Sequence, residues 1–263
     1  MILSVVIITY NEEANLGRTL ASVRPLVADG KGEIIVVDSG STDRTVEIAK
    51  SFDAKVFVEE WKGYAAQKNS ALDKATGDWI LSLDADEEVG SRLAEDITAL
   101  LMTPSKPSGF FVPRKNFFLG RWMKHGGFWP DPKMRLFRRG IAVFEDRLVH
   151  EDAKLRDGIA GTFKNSLIHH SYPTLSDYIE HMNHYSSLGA EMAVAKGYGR
   201  FSVLNIVVRP LATFIYNYFF RLGFLDGREG LLLHLYHAVY VSWKYAKAWE
   251  LARGAAEKQA MKT

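Results

Sequence analysis

"ILSVVIIT", residues 2–9, is continuously apolar and rich in β-branched side chains, as a strand covered on both faces should be. Working outward, "EIIVVD" (33–38) repeats the pattern, "AKVFVEE" (54–60) is a shorter third strand and "DWILSLD" (78–84) a fourth. Helical stretches separate them. One is capped by Asn11 and runs to about Val27, one follows Ser41 or Thr42 as cap, and one covers about 62–76. Strand–helix alternation with short links predicts an α/β chain with a mostly parallel sheet flanked by helices. Ligands of such sheets bind beyond the carboxyl ends of the strands. Thr9 to Asn11, Asp38 to Ser41 and Asp84 to Asp86 all fall there.

From about 109 the pattern changes. "GFFVPRKNFF", "KMRLFRR" and "GTFKNSLIHHSY" read as shorter strands of mixed direction, and from about Leu175 the chain reads as helical. There is no internal repeat, so one compact domain with a C-terminal helical appendage is expected.

The chain has 263 residues, 47% hydrophobic and 24% charged, a composition that supports a sizeable core. It has no cysteine, which excludes disulfides, thiolate metal sites and cysteine nucleophiles. The apolar start lacks a basic leader and a small-residue cleavage site, so no signal peptide is expected and a cytoplasmic location is. Net charge is +2, but residues 1–113 carry 11 Lys and Arg against 18 Asp and Glu, a net of −7, and residues 114–263 carry +9. An acidic half suits cations; a basic half suits phosphates or an anionic membrane surface.

"LSLDADEEV" (81–89) crowds four acids into five positions at a strand end. Positions i and i+2 of a strand face the same way, so Asp84 and Asp86 can share a site. Hard oxygen ligands of this kind suit Mg²⁺ or Mn²⁺, whose shells are completed by water and substrate phosphate. The competing reading is a solvated turn that opens the next helix. Glu87 and Glu88 are expected to cap or to be solvated. Asp38 is a turn carboxylate or a hydrogen-bond partner for a base or ribose. No G-x-G-x-x-G follows the first strand and no P-loop lysine motif appears, which argues against nicotinamide, flavin and ATPase chemistry.

The blocks "VVIITYNEEANLGRTLASV", "EIIVVDSGSTDRTVEIA" and "KGYAAQKNSALDKATGDWILSLDADEEV" resemble those of family 2 glycosyltransferases, through most of residues 1–90 and in order. "RLFRRG", "VHED" and "HHSY" resemble the lipopolysaccharide core β-glucosyltransferase group. The resemblance implies an inverting enzyme of the GT-A fold, a Rossmann-like nucleotide-binding sheet. It implies a catalytic domain over 1–172, with a nucleotide-sugar half at 1–90 and an acceptor half at 91–172, followed by a helical region at 173–263. Thr9, Tyr10, Glu12, Asp38, Gln67, Lys68 and Asp84 would bind the UDP-sugar. Asp84, Asp86 and His169 would hold a divalent cation, Mg or Mn, that neutralises charge on the leaving diphosphate. An inverting displacement also needs a base for the acceptor hydroxyl. Glu145, Asp146, Glu151 and Asp152 are candidates, and "VHED" favours Glu151, with Asp152 second. His169 has a structural role as its alternative.

"RKNFFLGRWMKHGGFWPDPKMRLFRRG" (114–140) holds eight Lys and Arg, one acid and six Phe and Trp. Basic residues interleaved with stacking aromatics can mean single-stranded nucleic acid. With a sugar donor on the acidic side, an acceptor site is the preferred reading, with Trp122, Trp129, Arg135 and Arg138 as its residues and no nucleic-acid partner. "FSVLNIVVRPLATFIYNYFF" (201–220) is interrupted by Arg209 and Pro210, and "LLLHLYHAVYVSW" (231–243) is short, so neither is expected to span a bilayer. Peripheral association with the inner face of the cytoplasmic membrane is expected instead. The leading reaction is transfer of a hexose, glucose by resemblance, to a saccharide of the lipopolysaccharide core or another cell-envelope glycan. Transfer to polyprenyl phosphate and a non-catalytic binding module are the rivals.

Overall fold

The computed structural model describes residues 1–104, 107–145 and 152–260. Two compact units are present. The first is built from the described parts of Met1–Lys115, Pro130–Arg147 and Glu151–His170, the second from those of Asn116–Trp129 and Ser171–Thr263.

In the first unit β1 (Leu3–Thr9), β2 (Gly32–Asp38), β3 (Lys55–Val58) and β4 (Trp79–Asp84) form the parallel part of a sheet in the order β3-β2-β1-β4. Helices α1 (Leu16–Val27), α2 (Thr45–Ser51) and α3 (Tyr64–Asp73) make the crossovers. The apolar runs are explained by burial on both faces. Leu3, Val5, Ile7, Ile34, Val36, Leu81 and Leu83 enter one core, while Val6, Ile35, Val37 and Ile80 enter the other. Each such aliphatic side chain contributes about 1.5–3 kcal/mol. Past β4 come β5 (Glu87–Val89), α4 (Ser91–Met102) and β6 (Gly109–Phe118), and the second unit's β7 (Arg121–Trp122) pairs with the end of β6. Then follow β8 (Asp131–Arg138), β9 (Ala142–Phe144), β10 (Ala153–Leu155), β11 (Ala160–Thr162) and β12 (Leu167–Tyr172). β8 lies antiparallel between β4 and β6, and β12 lies antiparallel to β5.

Glu33 ties several of these elements together. Its carboxylate accepts from the Ser4 hydroxyl (2.6 Å), from the Thr76 amide and hydroxyl (both 2.8 Å) and from Lys55 (2.7 Å). Burial opposes its ionisation, but these bonds outweigh burial and bring its pKa down to about 2. A depressed carboxylate stabilises fully above its unfolded value and loses that contribution as pH falls towards about 2. Glu33→Gln is therefore expected to lower stability by about 1–2 kcal/mol at neutral pH. Thermal midpoints of variant and parent should converge as pH falls from about 5 to 2, by calorimetry.

The second unit is mainly helical. Its helix α5 (Leu175–Ala195) opens on a capping box in which the Thr174 hydroxyl and the Asp177 carboxylate serve each other's backbone amides. After a non-helical stretch at 196–202 a second helical stretch follows, broken at Leu222, whose φ is +60°. It has a π turn at Leu204–Val208, α6 (Arg209–Ile215), a second π turn at Tyr216–Phe220 and a 3₁₀ turn at Gly223–Asp226, and ends in the long α7 (Gly227–Ala260). Ala190 and Ala193 of α5 pack on Val241, Tyr245 and Ala248 of α7.

Candidate active site

Register places the strand ends side by side. Thr9 of β1 is opposite Asp38 of β2, and Ile8 is opposite Asp84 of β4. Asp38 is fully buried. Its oxygens accept from the Thr9 hydroxyl (2.9 Å), the Gly40 and Ser41 amides (3.0 and 2.8 Å) and the Ser41 hydroxyl (2.5 Å). Gly40 completes the turn at a φ of +88°, a left-handed value that suits glycine. The carboxylate is the post around which the 39–41 loop folds.

Asn11, Ser41 and Thr42 do not cap helices. The cap position of α1 is Asn15 and that of α2 is Arg44, and neither makes a side-chain capping bond. Asn11 adopts a φ of +53° and latches two loops together. Its amide donates to the Ser41 hydroxyl (2.8 Å), and its side-chain oxygen accepts from the Thr42 amide (2.9 Å). Next to it, the Glu12 amide donates to Thr45 Oγ1 (2.7 Å) and the Arg44 amide to Glu13 (3.0 Å). These polar residues are spent on holding two strand-end loops in one shape, so both must move together. Burial holds the Glu12 carboxyl above its ordinary value, opposed by the Asn15 side chain and reinforced by Asp86, Asp43 and Asp84. Tyr10 is exposed on the same loop.

The acids after β4 are neither capping nor solvated as a group. Glu87 is completely buried and pairs with Arg114 (3.1 Å) and Arg135 (2.6 Å), while its other oxygen accepts from the Asp84 amide (3.0 Å). The acids and the basic stretch, which read separately suit different partners, here serve each other. Asp84 pairs with Lys68 (2.9 Å) and Arg135, with Arg114 at 3.8 Å. Burial opposes its ionisation, yet Arg135, Lys68 and Arg114 hold it well below the usual carboxylate range. Arg114 reaches Asp131 as well (2.5 Å). The repulsion raised by the four acids is thus answered in part by the protein's own cations.

Asp86 faces a different partner. His169 Nε2 lies 3.2 Å from its carboxylate, brought there by the β12–β5 pairing that sets His169 opposite Glu87. Burial opposes ionisation of both groups, but the pair lowers the Asp86 pKa and raises that of His169. The alternate side chain, His170, pairs instead with Glu88 (3.2 Å). On α1, the Thr19 hydroxyl donates to the Ala85 carbonyl (2.7 Å) and fixes the turn between the two aspartates. Among the described residues no three His, Asp or Glu side chains form a metal cluster. One carboxylate and one imidazole are nonetheless a donor pair that suits an ion taking its remaining ligands from diphosphate and water.

Gln67 lies on α3 and is completely buried, and among the described residues neither atom of its side-chain amide has a hydrogen-bond partner. A buried amide left unsatisfied costs about 1–3 kcal/mol unless something fills the need. The adjacent Lys68 is also buried, between Asp84 and the Phe144 ring (5.3 Å).

The remaining candidates scatter. Asp152 pairs with Lys133 (3.0 Å), Glu145 pairs with Lys154 (2.7 Å), and Asp146 and Glu151 lie outside the described residues. Trp122 and Trp129 meet edge to face at 5.3 Å in the second unit, with Lys124 over the Trp122 ring at 4.6 Å. Of the two arginines assigned to the acceptor, Arg135 is buried among the strand-end carboxylates. Arg138 stacks over Trp79 at 4.8 Å, at the opposite end of β4 from Asp84.

Residues 4–147 match the model of glycosyl transferase family 2. The chain is 30% identical over 254 residues to the lipopolysaccharide core biosynthesis glycosyltransferase LpsC of Rhizobium meliloti, covering 94% of this chain and 92% of LpsC. It is also 30% identical over 260 residues to an uncharacterized glycosyltransferase of Rickettsia typhi, covering 95% and 87%. Among solved structures it is similar to the mannosyltransferase PcManGT from Pyrobaculum calidifontis in complex with GDP-Man and Mn²⁺. That likeness has a TM-score of 0.52 and 17% identity over 97% of this chain and 75% of the other. S. aureus TarS 1–349 in complex with UDP gives a TM-score of 0.50 and 18% identity over 97% and 92%. At these identities the structural likeness shows the fold, which is GT-A.

Proposed function

This chain belongs to glycosyl transferase family 2, and from that premise we propose that it moves a hexose, with inversion, from a UDP-sugar to a hydroxyl of a lipopolysaccharide core or related cell-envelope saccharide. That it is a glycosyltransferase follows from the family; donor, metal and acceptor are the proposal. The observation that carries the donor site is the buried, unsatisfied Gln67 amide beside Lys68, Asp84 and the aligned strand ends. A nucleotide diphosphate supplies both acceptors and donors for such a group. TarS was solved with UDP, which supports the donor, PcManGT with GDP-Man and Mn²⁺, which supports a nucleotide-sugar and a metal, and LpsC is named for lipopolysaccharide core synthesis, which supports the acceptor.

Asp38 and Asn11 hold the two loops that enclose the nucleotide. Lys68 lends its charge to the diphosphate, and Arg135 and Arg114 keep Asp84 ionised and in place. When bound, a Mg or Mn ion held by Asp86 and His169 would neutralise charge on the leaving diphosphate. A carboxylate of the 145–152 segment takes the acceptor's proton on the far side of the sugar. Glu151 is assigned that role and Asp152, oriented by Lys133, is its alternate. Trp122 and Trp129 are the proposed acceptor residues because aromatic rings stack on sugars, and a lipid-linked acceptor would place the enzyme at the inner face of the cytoplasmic membrane.

The test is transfer from a donor panel of UDP-glucose, UDP-galactose, UDP-N-acetylglucosamine and GDP-mannose to a core-saccharide acceptor. Transfer from a UDP-hexose is expected. Glu151→Gln should reduce it at least ~10²-fold with nucleotide affinity unchanged, and Asp152→Asn less. Exclusive use of GDP-mannose would overturn the donor assignment, and near-normal turnover by Glu151→Gln would move the base to Asp152.

A further inference from the structure

We infer that the helical run from Leu204 to Phe220 is a membrane-surface element that lays its outward face into the interfacial layer of an anionic phospholipid bilayer. The inference deepens the membrane part of the reading above, but it stands on that face alone.

The run has its amphipathicity reversed. Exposed apolar positions recur in pairs at intervals of four: Val203 and Leu204, Val207 and Val208, Leu211 and Ala212, Ile215 and Tyr216, Phe219 and Phe220, with Arg209 exposed beside Val208. Leu204 is 62% exposed, Leu211 57% and Phe220 74%, on a helix that packs its other side on protein. A strict four-residue repeat drifts around an α-helix of ~3.6 residues per turn. The wider π turns at both ends offset the drift and keep the pairs in one stripe. On the inner side Ile206 joins the Val241 and Tyr245 core and Pro210 is buried. Arg209 is the one charged residue of the run, and its guanidinium folds back onto the Tyr245 hydroxyl and the Tyr198 and Tyr245 rings. A helix facing water places its apolar residues the other way round.

Charge identifies the occupant. No Asp or Glu occurs between Glu191 and Asp226. Lys196 and Arg200 precede the run, Arg221 and Arg228 follow it, and all four are exposed. Phe201 and Phe224 are exposed beside them. An apolar stripe with basic, aromatic ends fits an anionic headgroup layer over acyl chains. The run is roughly 25 Å long at ~1.5 Å per residue, and among the described residues no helix is long and apolar enough to cross a membrane. It lies on the bilayer.

Flotation of the full chain with extruded vesicles, without nucleotide, tests this. At low salt, vesicles with about one third phosphatidylglycerol should carry at least tenfold more protein than pure phosphatidylcholine, and added salt should reduce the difference. The triple variant Leu211→Glu, Ile215→Glu, Phe219→Glu should lose at least tenfold of that binding, with thermal midpoint and UDP affinity unchanged. The inference falls if the parent ignores anionic vesicles or floats equally with neutral ones, or if the variant floats like the parent. It falls equally if the face holds two copies together, seen as a parent dimer that ignores vesicles and a monomeric variant. None of these results bears on the donor assignment, which is measured separately.

Discussion

Asp86→Ala is expected to lower transfer by at least ~10³-fold and to erase the effect of manganese on UDP affinity. Asp84 is held by Lys68, Arg135 and Arg114, and Glu87 by Arg114 and Arg135. Glu88 sits between Arg18 (3.9 Å) and His170 (3.2 Å). Asp86 faces a neutralisable imidazole instead of a fixed cation, and in its neutral form His169 could join Asp86 on a dication. Removing Asp86 would take away the proposed ligand and its charge together. Asp86→Asn keeps the shape and removes the charge, and should fall nearly as far. Isothermal calorimetry of UDP with and without manganese, alongside turnover, reads both effects. Manganese-enhanced UDP binding that survives in Asp86→Ala would place the ion elsewhere.

Much of the parallel sheet was legible because β1, β2 and β4 are buried on both faces. Unbroken runs such as Val5 to Ile8 and Ile34 to Val37 have few other uses, and parallel pairing then aligns their ends. The loops were not legible. Asn11, Ser41 and Thr42 have the composition of caps, and only the register of β1 on β2 shows that they latch to each other across some 30 positions. Glu87 read as a surface acid because its partners come from β6 and β8, and nothing in one sequence says that β8 returns antiparallel beside β4. The segment 201–220 showed how much apolar surface it carries but not which way that surface points. Direction depends on what Ile206, Arg209 and Pro210 find to pack against.

Arg135 carries the second large effect, on stability. Between Leu136 and Met134 the pairing of β8 with β6 slips by one, because Phe110 is opposite Leu136 and Phe111 opposite Met134, which leaves Arg135 with no directly opposed residue. A bulge of this kind re-aims a side chain, and here it sends a guanidinium onto Asp84 and the fully buried Glu87. The pKa of Arg135 is raised, burial notwithstanding, by those two carboxylates. Arg135→Met keeps the stem and deletes the charge, leaving two carboxylates in a site with less compensation. Removing one partner of a buried pair costs about 3–5 kcal/mol, and since Arg114 still reaches Glu87 the lower figure applies. At ~2–4 °C per kcal/mol for a chain of this size, the first unit should melt about 10 °C lower. Adding Glu87→Gln removes the stranded charge and should restore at least half of the loss, a coupling a double-mutant cycle isolates. Nucleotide affinity supplies the second readout. Asp84 freed from Arg135 would be held by Lys68 more tightly, which withdraws Lys68 from the diphosphate, so UDP affinity should weaken in Arg135→Met and stay weak in the stabilised double variant. A double variant that regains both stability and UDP affinity would show that the bulge serves folding alone.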